Sequence, residues 1–222
     1  MKQKIILTIM VCLGYGLIGT SSSIGAQSSI TIDASQQVTN FVFKDSEGVQ
    51  DNTYLLFGSD NLYKSSYNGA YSFGYAYQLD SGIFFRGKIG MRNAGATMVF
   101  DAANYEWNFK YLNFQLGVGY AHQMGTFNPY IAVQGYFASL VKANQRINNE
   151  DFDIIDSNSI QKGDIGLNIP LGVRIDVWED IISIYSEVSY LVGLKNIEKA
   201  SNGQESRNVG YMFTLGLAFH LQ

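Results

Sequence analysis

The sequence predicts an all-β protein: a closed antiparallel transmembrane β-barrel of about eight strands, preceded by a cleaved signal peptide. Three observations lead to this prediction. Residues 164–178 alternate almost without interruption between aliphatic and small or polar side chains, the connections between similar segments alternate between short and long, and the chain begins like a secreted protein. A tilted strand of about ten residues with one apolar and one polar face is long enough to cross a bilayer.

The first 26 residues have the order of a secretory signal. Lys2 and Lys4 precede an apolar run from residue 5 to residue 19, and small residues follow up to Ala26. We expect residues 1–26 to be the signal peptide and residues 27–222 to form one outer-membrane β-barrel domain. Cys12 lies inside the apolar run, so the mature chain would have no thiol chemistry and no disulfide.

The strands follow from the alternation of side chains. Eight segments show it: 29–43, 69–79, 83–96, 108–122, 129–143, 163–178, 182–195 and 207–221. The long polar connections are 44–68, 97–107, 144–162 and 196–206. Because bacterial barrels have short periplasmic turns and longer extracellular loops, an even strand number places both termini in the periplasm. A ten-stranded barrel, with an added strand at 53–57, is the open alternative.

The composition fits a chain with lipid on one side. Aromatic residues make up 14% of the chain and charged residues only 15%, against about a quarter charged in an ordinary domain. The net charge is −4 without a basic patch, which gives no support for nucleic-acid binding. Pro170 fits the strand pattern worst, and we expect a bulge or bend there with the ring pointing inward.

The predicted barrel interior carries charged side chains. An eight-stranded barrel is narrow enough for side chains to fill it, and charges in such an interior must be paired. We predict an interior polar network that includes Lys88, Arg174, Asp176 and Glu187. Such a network either holds the barrel shut as a structural plug, which we favour, or lines a narrow conduit.

No catalytic, cofactor-binding or metal-binding residue is predicted, and neither an enzyme nor a cofactor is expected. The two histidines, His122 and His220, lie at the ends of the fourth and eighth strands without the Ser and Asp of a recognisable triad. The acidic segment 148–156 lacks the glycine and the ligand spacing of a calcium loop.

The last strand carries the pattern of an assembly signal. Thr214, Gly216 and Phe219 match the closing motif of many outer-membrane barrels, and Leu221 replaces its usual final aromatic residue. Together with segments 130–135 and 169–174, this motif makes the chain resemble small outer-membrane β-barrels of the OmpA/OmpX-like or PorT-like kind. The resemblance implies a Gram-negative outer membrane, contact with its lipid and lipopolysaccharide, and insertion by the barrel assembly machinery.

Members of these families serve as anchors, adhesins, secretion-accessory proteins or narrow channels, so the resemblance implies no single activity. We predict a monomer with a structural or interaction role, exerted through long extracellular loops above a side-chain-filled interior. The alternative is a narrow, porin-like channel or transporter for small or apolar solutes. A lipid-modifying enzyme of the outer leaflet is disfavoured, because both histidines are predicted at the periplasmic end.

Overall fold

The computed structural model describes residues 27–50, 63–157, 159–178, 181–199 and 203–221. The predicted signal peptide and the possible extra strand at 53–57 lie outside these residues. The described strands are β1 (Gln27–Lys44), β2 (Lys64–Gln78), β3 (Ile83–Phe100), β4 (Ala103–Ala121), β5 (Phe127–Ile147), β6 (Glu150–Asp153), β7 (Gly163–Trp178), β8 (Ile182–Gly193) and β9 (Glu205–Leu221). Among the residues described, no helix has the length and hydropathy needed to span a membrane.

Eight of these strands form one closed antiparallel ring. Each strand pairs with the next in the order β1, β2, β3, β4, β5, β7, β8, β9, and β9 pairs back with β1. The four-residue β6 pairs only with the end of β5 and stands outside the ring. Because a closed ring has no free edge, its backbone groups are hydrogen-bonded internally, as a lipid environment requires. The predicted eight-stranded barrel is confirmed.

The two faces of the barrel wall differ in polarity. Large apolar side chains point outward and are exposed, among them Phe73, Leu116 and Val133. Charged and polar side chains point inward and are buried, among them Asp33 and Lys88. This distribution is the reverse of that in a water-soluble domain, where charged side chains stay at the surface. Alternation along each strand produces it, because successive side chains point to opposite faces.

Two connections predicted as long loops contain strand extensions, so their predicted bounds are wrong. Residues 97–107 belong to β3 and β4, which pair as far as a two-residue turn at Asp101 and Ala102. Both turn residues have positive φ values, 48° and 59°, as a tight hairpin turn needs. Residues 144–147 likewise continue β5, which turns back into β6. The apolar alternation stops where lipid ends, but backbone pairing continues beyond it.

Pro170 does not cause the expected bulge. The registers of β5 and β7 are the same on both sides of it, since Ile131 faces Leu171 and Gln134 faces Asn168. The ring is fully buried and points inward, and Pro170 remains paired with Ser189 of β8. The pairing with β5 is interrupted at two positions, Ile169 and Pro170, because the proline has no N–H to donate, and it resumes without a shift.

Candidate functional site

The barrel has two distinct ends. The terminal end holds Gln27, Leu221 and the short turns, and the loop end holds the long hairpins. The inward side chains form three polar layers between these ends. The middle cluster consists of Asp33, Arg86, Lys88, Tyr130, Tyr185 and Glu187. The upper cluster, nearer the loop end, consists of Arg92, Tyr111, Tyr136, Asp164 and Asn208. The lower cluster, at the terminal end, consists of Gln78, Asn128, Arg174, Asp176, Ser183 and His220.

The middle cluster is a ring of buried ion pairs. The ammonium nitrogen of Lys88 lies 2.8 Å from Asp33 Oδ2 and 3.7 Å from Glu187 Oε2. The guanidinium of Arg86 donates to the other carboxylate oxygen of Glu187. Two cations and two carboxylates therefore face each other, and the cluster is electrically neutral. Burial of charges at this level is tolerated only because each of them has a partner of opposite sign.

Two tyrosines complete the middle cluster. Tyr130 donates its hydroxyl to Glu187 at 2.7 Å, and Tyr185 donates to Asp33 at 2.7 Å. The ring of Tyr185 also lies 5.4 Å from the ammonium of Lys88, within the range of a cation–π contact. The side chains thus fill the width of the barrel with hydrogen-bonded groups.

The upper cluster repeats this arrangement with a single ion pair. Arg92 Nη2 lies 2.7 Å from Asp164 Oδ2, and that oxygen also accepts from Tyr136 and Asn208 at 3.0 Å each. The guanidinium lies 5.0 Å from the ring centre of Tyr111 and 4.7 Å from that of Tyr136. The upper cluster is also neutral, and Arg92 and Asp164 are almost completely buried.

The predicted network residues fall into two separate clusters. Lys88 and Glu187 meet in the middle cluster, whereas Arg174 and Asp176 lie in the lower cluster, 3.5 Å apart. Arg174 donates to Gln78 at 2.8 Å and is not bonded to Glu187. Sequence reasoning did not name Asp33 as a member of the network. The position of Asp33 in one alternating series with Thr31 and Ser35 was the signal that could have placed it on the inner face.

The histidines do not form a catalytic triad. Ser183 Oγ lies 2.5 Å from His220 Nε2 and donates to Asp176 Oδ1 at 2.6 Å. The serine therefore lies between carboxylate and imidazole, whereas in a triad the imidazole lies between the other two and takes the hydroxyl proton. His122 is held by its backbone N–H, which donates to Pro129 at 2.8 Å. In the described part of the chain, no three His, Cys, Asp or Glu side chains are grouped to hold a metal ion.

The residues of the predicted assembly signal lie on both faces of β9. Thr214 points inward and exchanges a hydrogen bond of 2.8 Å with Ser35. Gly216 leaves room for Tyr185, whose ring would lie 2.4 Å from an added Cβ. Phe219 and Leu221 point to the outer face and are paired with Ile30 and Ser28 of β1. Recognition by an assembly machinery remains a prediction.

A cavity of about 660 Å³ lies at the loop end and was not predicted from the sequence. We name it the mouth cavity; its lining includes Phe41, Tyr63, Trp107, Phe109 and Ile197. The rings come from β1, the approach to β2, and β4, three parts of the chain that the barrel brings together. The alternating pattern does not show which aromatic side chains turn inward above the lipid, so the sequence did not indicate this cavity.

Comparisons with solved structures find small outer-membrane proteins. Neisserial surface protein A is 12% identical, with a TM-score of 0.49 over 88% of this chain and 99% of that chain. Ail, the attachment invasion locus protein of Yersinia pestis, is 12% identical, with a TM-score of 0.47 over 89% and 100%. The outer membrane protein OprG from Pseudomonas aeruginosa is 9% identical, with a TM-score of 0.42 over 89% and 98%. No protein-family model matches the chain, and no curated protein matches it significantly in sequence.

The architecture itself identifies the class of protein. A ring of eight antiparallel strands, with exposed apolar side chains outside and paired charges inside, suits a chain surrounded by lipid. The ring has no edge that must be covered in the membrane. The resemblance found in the sequence is confirmed at this level: the chain has the fold of a small outer-membrane β-barrel.

Proposed function

We propose that this protein is a non-conducting outer-membrane barrel that acts by binding at its loop end. The observation that supports this proposal is the filling of the interior at two successive levels. Glu187 and Asp164 are 1% and 0% exposed, and each is bonded across the barrel to an arginine. An ion crossing the barrel would have to separate both sets of ion pairs, which is costly in a buried environment.

In this proposal the mature chain begins near Gln27 and both ends of the barrel domain face the periplasm. Lipid and lipopolysaccharide surround the outer face, the barrel assembly machinery inserts the chain, and a single copy forms the complete barrel. The loop end then stands outside the cell. The extension of β3, β4 and β5 beyond the apolar band supports this orientation, since longer hairpins are typical of the extracellular side.

The test is conductance of the purified full barrel in planar bilayers. We expect no stepwise current over a range of salts and voltages, because both neutral clusters block the path. Stepwise conductance that changes in Glu187→Ala and in Arg174→Ala would support the channel alternative and overturn the proposal. Asp156→Asn is the matched control, because Asp156 is exposed at the loop end, where it pairs with Lys162 at 3.2 Å.

A further inference from the structure

The mouth cavity belongs to the loop end, where the proposed function places binding. It sits at the loop end, open on one side, and its lining comes from β1, β4, β5, β9 and the segments between the later strands. We propose that it binds a small, neutral, largely apolar molecule that contains an aromatic ring. This inference rests on the proposed binding role of the loop end and names the chemistry of the ligand.

The walls present aromatic rings in contact with one another. Phe41 stacks on Phe109 with ring centres 5.7 Å apart, and Tyr63 meets Trp107 edge to face at 5.5 Å. Phe41 is also edge to face with Tyr63 at 5.9 Å. Such pairs prefer offset or edge-to-face geometry, so an incoming ring can join the cluster with the same geometry. An aromatic ligand would therefore gain ring contacts in addition to burial of apolar surface.

The size of the cavity favours a small molecule over a protein partner. Its volume of about 660 Å³ lies inside the range of about 300–1,000 Å³ that is typical of small-molecule sites. Phe41 and Phe109 form its floor and are 4% and 3% exposed. A protein partner would contact the rim and leave this floor in water, whereas a ligand of one or two rings can reach it.

The charges of the lining indicate a neutral ligand. Among the described residues that line it, Glu198 and Lys199 carry charges, and these have opposite signs. Glu198 accepts a hydrogen bond from the hydroxyl of Ser206, which fixes its carboxylate at the wall. Gln145 and Gln204 add amide groups that can both donate and accept. This set suits a ligand with one hydroxyl or carbonyl group and gives no net attraction to an ion.

The floor also separates the cavity from the barrel interior. Phe109 contacts Tyr111 edge to face at 6.4 Å, and Arg92 lies directly beneath, 5.0 Å from the ring centre of Tyr111. Arg92 is in turn held by Asp164. A ligand in the mouth cavity thus rests on a closed layer of side chains, so it is held there and does not pass through the barrel.

The experiment uses the two tryptophans of the chain as an internal comparison. Trp107 lines the cavity, whereas Trp178 is exposed at the terminal end of β7. The nitrogen-labelled full barrel in micelles is titrated with β-naphthol, and both indole N–H cross-peaks are followed. We expect the Trp107 cross-peak to shift and saturate, with half-saturation in roughly the 0.1–1 mM range expected for a ligand of this size. The Trp178 cross-peak should change only gradually, as the probe partitions into the micelle.

Variants show whether the response belongs to the cavity. Gln145 faces Trp107 across the β4–β5 pair, so Gln145→Phe should fill the site and weaken binding at least tenfold, by rough estimate from lost ring contacts. Ile160→Phe, at another position of the lining, should do the same if the first variant folds poorly. Gln36→Phe is the matched control, because Gln36 is exposed on the outer face of β1. It should bind like the parent protein.

Two results would overturn the inference. Parallel, unsaturated shifts of both indole cross-peaks would mean that β-naphthol only partitions into the micelle. Contacts from Trp107 to detergent chains that β-naphthol cannot displace would mean that the cavity takes an acyl chain. Either result can occur while the barrel stays silent in planar bilayers, so failure of the ligand inference is distinguishable from failure of the proposed non-conducting role.

Discussion

Replacement of Glu187 by glutamine tests whether the paired interior holds the barrel together. Glu187 is 1% exposed, accepts hydrogen bonds from Arg86 and Tyr130, and lies 3.7 Å from the Lys88 ammonium. Glutamine keeps the volume of the side chain and removes its charge. The middle cluster then holds two cations and one carboxylate, so one buried positive charge has no counter-charge.

The expected cost follows from the geometry. At an effective dielectric constant of about 20, unit charges 3.7 Å apart attract each other by about 4.5 kcal/mol, and the Arg86 contact adds to this. Relaxation of the cations toward Asp33 offsets part of the loss. Removal of one partner from a buried pair typically costs about 3–5 kcal/mol, and we expect Glu187→Gln to lower the free energy of unfolding by that amount.

The assay is reversible urea unfolding of the barrel in lipid vesicles, followed by tryptophan fluorescence. Glu106→Gln is the matched control, because Glu106 pairs with Arg146 at 3.4 Å and both side chains are at least 40% exposed. An exposed pair contributes only about 0–1 kcal/mol. The double variant Arg86→Gln/Glu187→Gln restores neutrality and should be more stable than Glu187→Gln alone. If Glu187→Gln and Glu106→Gln differ by less than about 1 kcal/mol, the paired interior does not stabilise the barrel as argued.

Three further predictions use other parts of the structure. Gly216→Ala should cost about 1–3 kcal/mol in the same unfolding assay, because its Cβ would lie 2.4 Å from the Tyr185 ring, whereas Gly69→Ala, with nothing within 4 Å, should be nearly neutral. The hydrogen bond from Arg146 lowers the pKa of Asp151. The pair therefore stabilises the hairpin fully above the ordinary aspartate pKa, and this stabilisation is lost as the pH falls through the lowered pKa. An NMR titration of the Asp151 carboxylate should show a low midpoint that returns to normal in Arg146→Gln. Unboiled protein should migrate differently from boiled protein on gels, because the closed ring resists detergent until heated; equal mobility would contradict a closed barrel.

The transmembrane part of the fold was predictable because lipid imposes a simple rule. Segment 163–178 was predicted with the bounds that the structure shows for β7, since each outward position there is apolar and each inward position is small or polar. Above the lipid band this rule no longer applies. The strands from residue 97 to residue 107 carry mixed side chains on both faces, and only backbone pairing defines them.

The sequence indicated which charged side chains point inward, but not which of them pair with each other. Alternation shows that Lys88 and Glu187 point inward, but which charge meets which depends on the stagger of strands that are far apart in sequence. Arg174 and Glu187 were predicted as members of one network, but Gly172 lies opposite Glu187 in the β7–β8 pair, and Arg174 therefore lies nearer the terminal end. The mouth cavity depends on the same three-dimensional arrangement, so no local pattern in the sequence predicts it.

The pairing of β1 with β9 has a consequence for how the chain is ordered along the barrel. Ser28 lies directly opposite Leu221, so the two ends of the described barrel are neighbours. A short linker could join them, and the chain could be reopened at the tight turn between Phe100 and Ala103. Such a circular permutant would keep every strand pair and every interior contact. The order of strands around the barrel is thus cyclic, and any strand could come first in the chain. In the permutant both chain ends would lie at the loop end of the barrel, on the other side of the membrane from their present position.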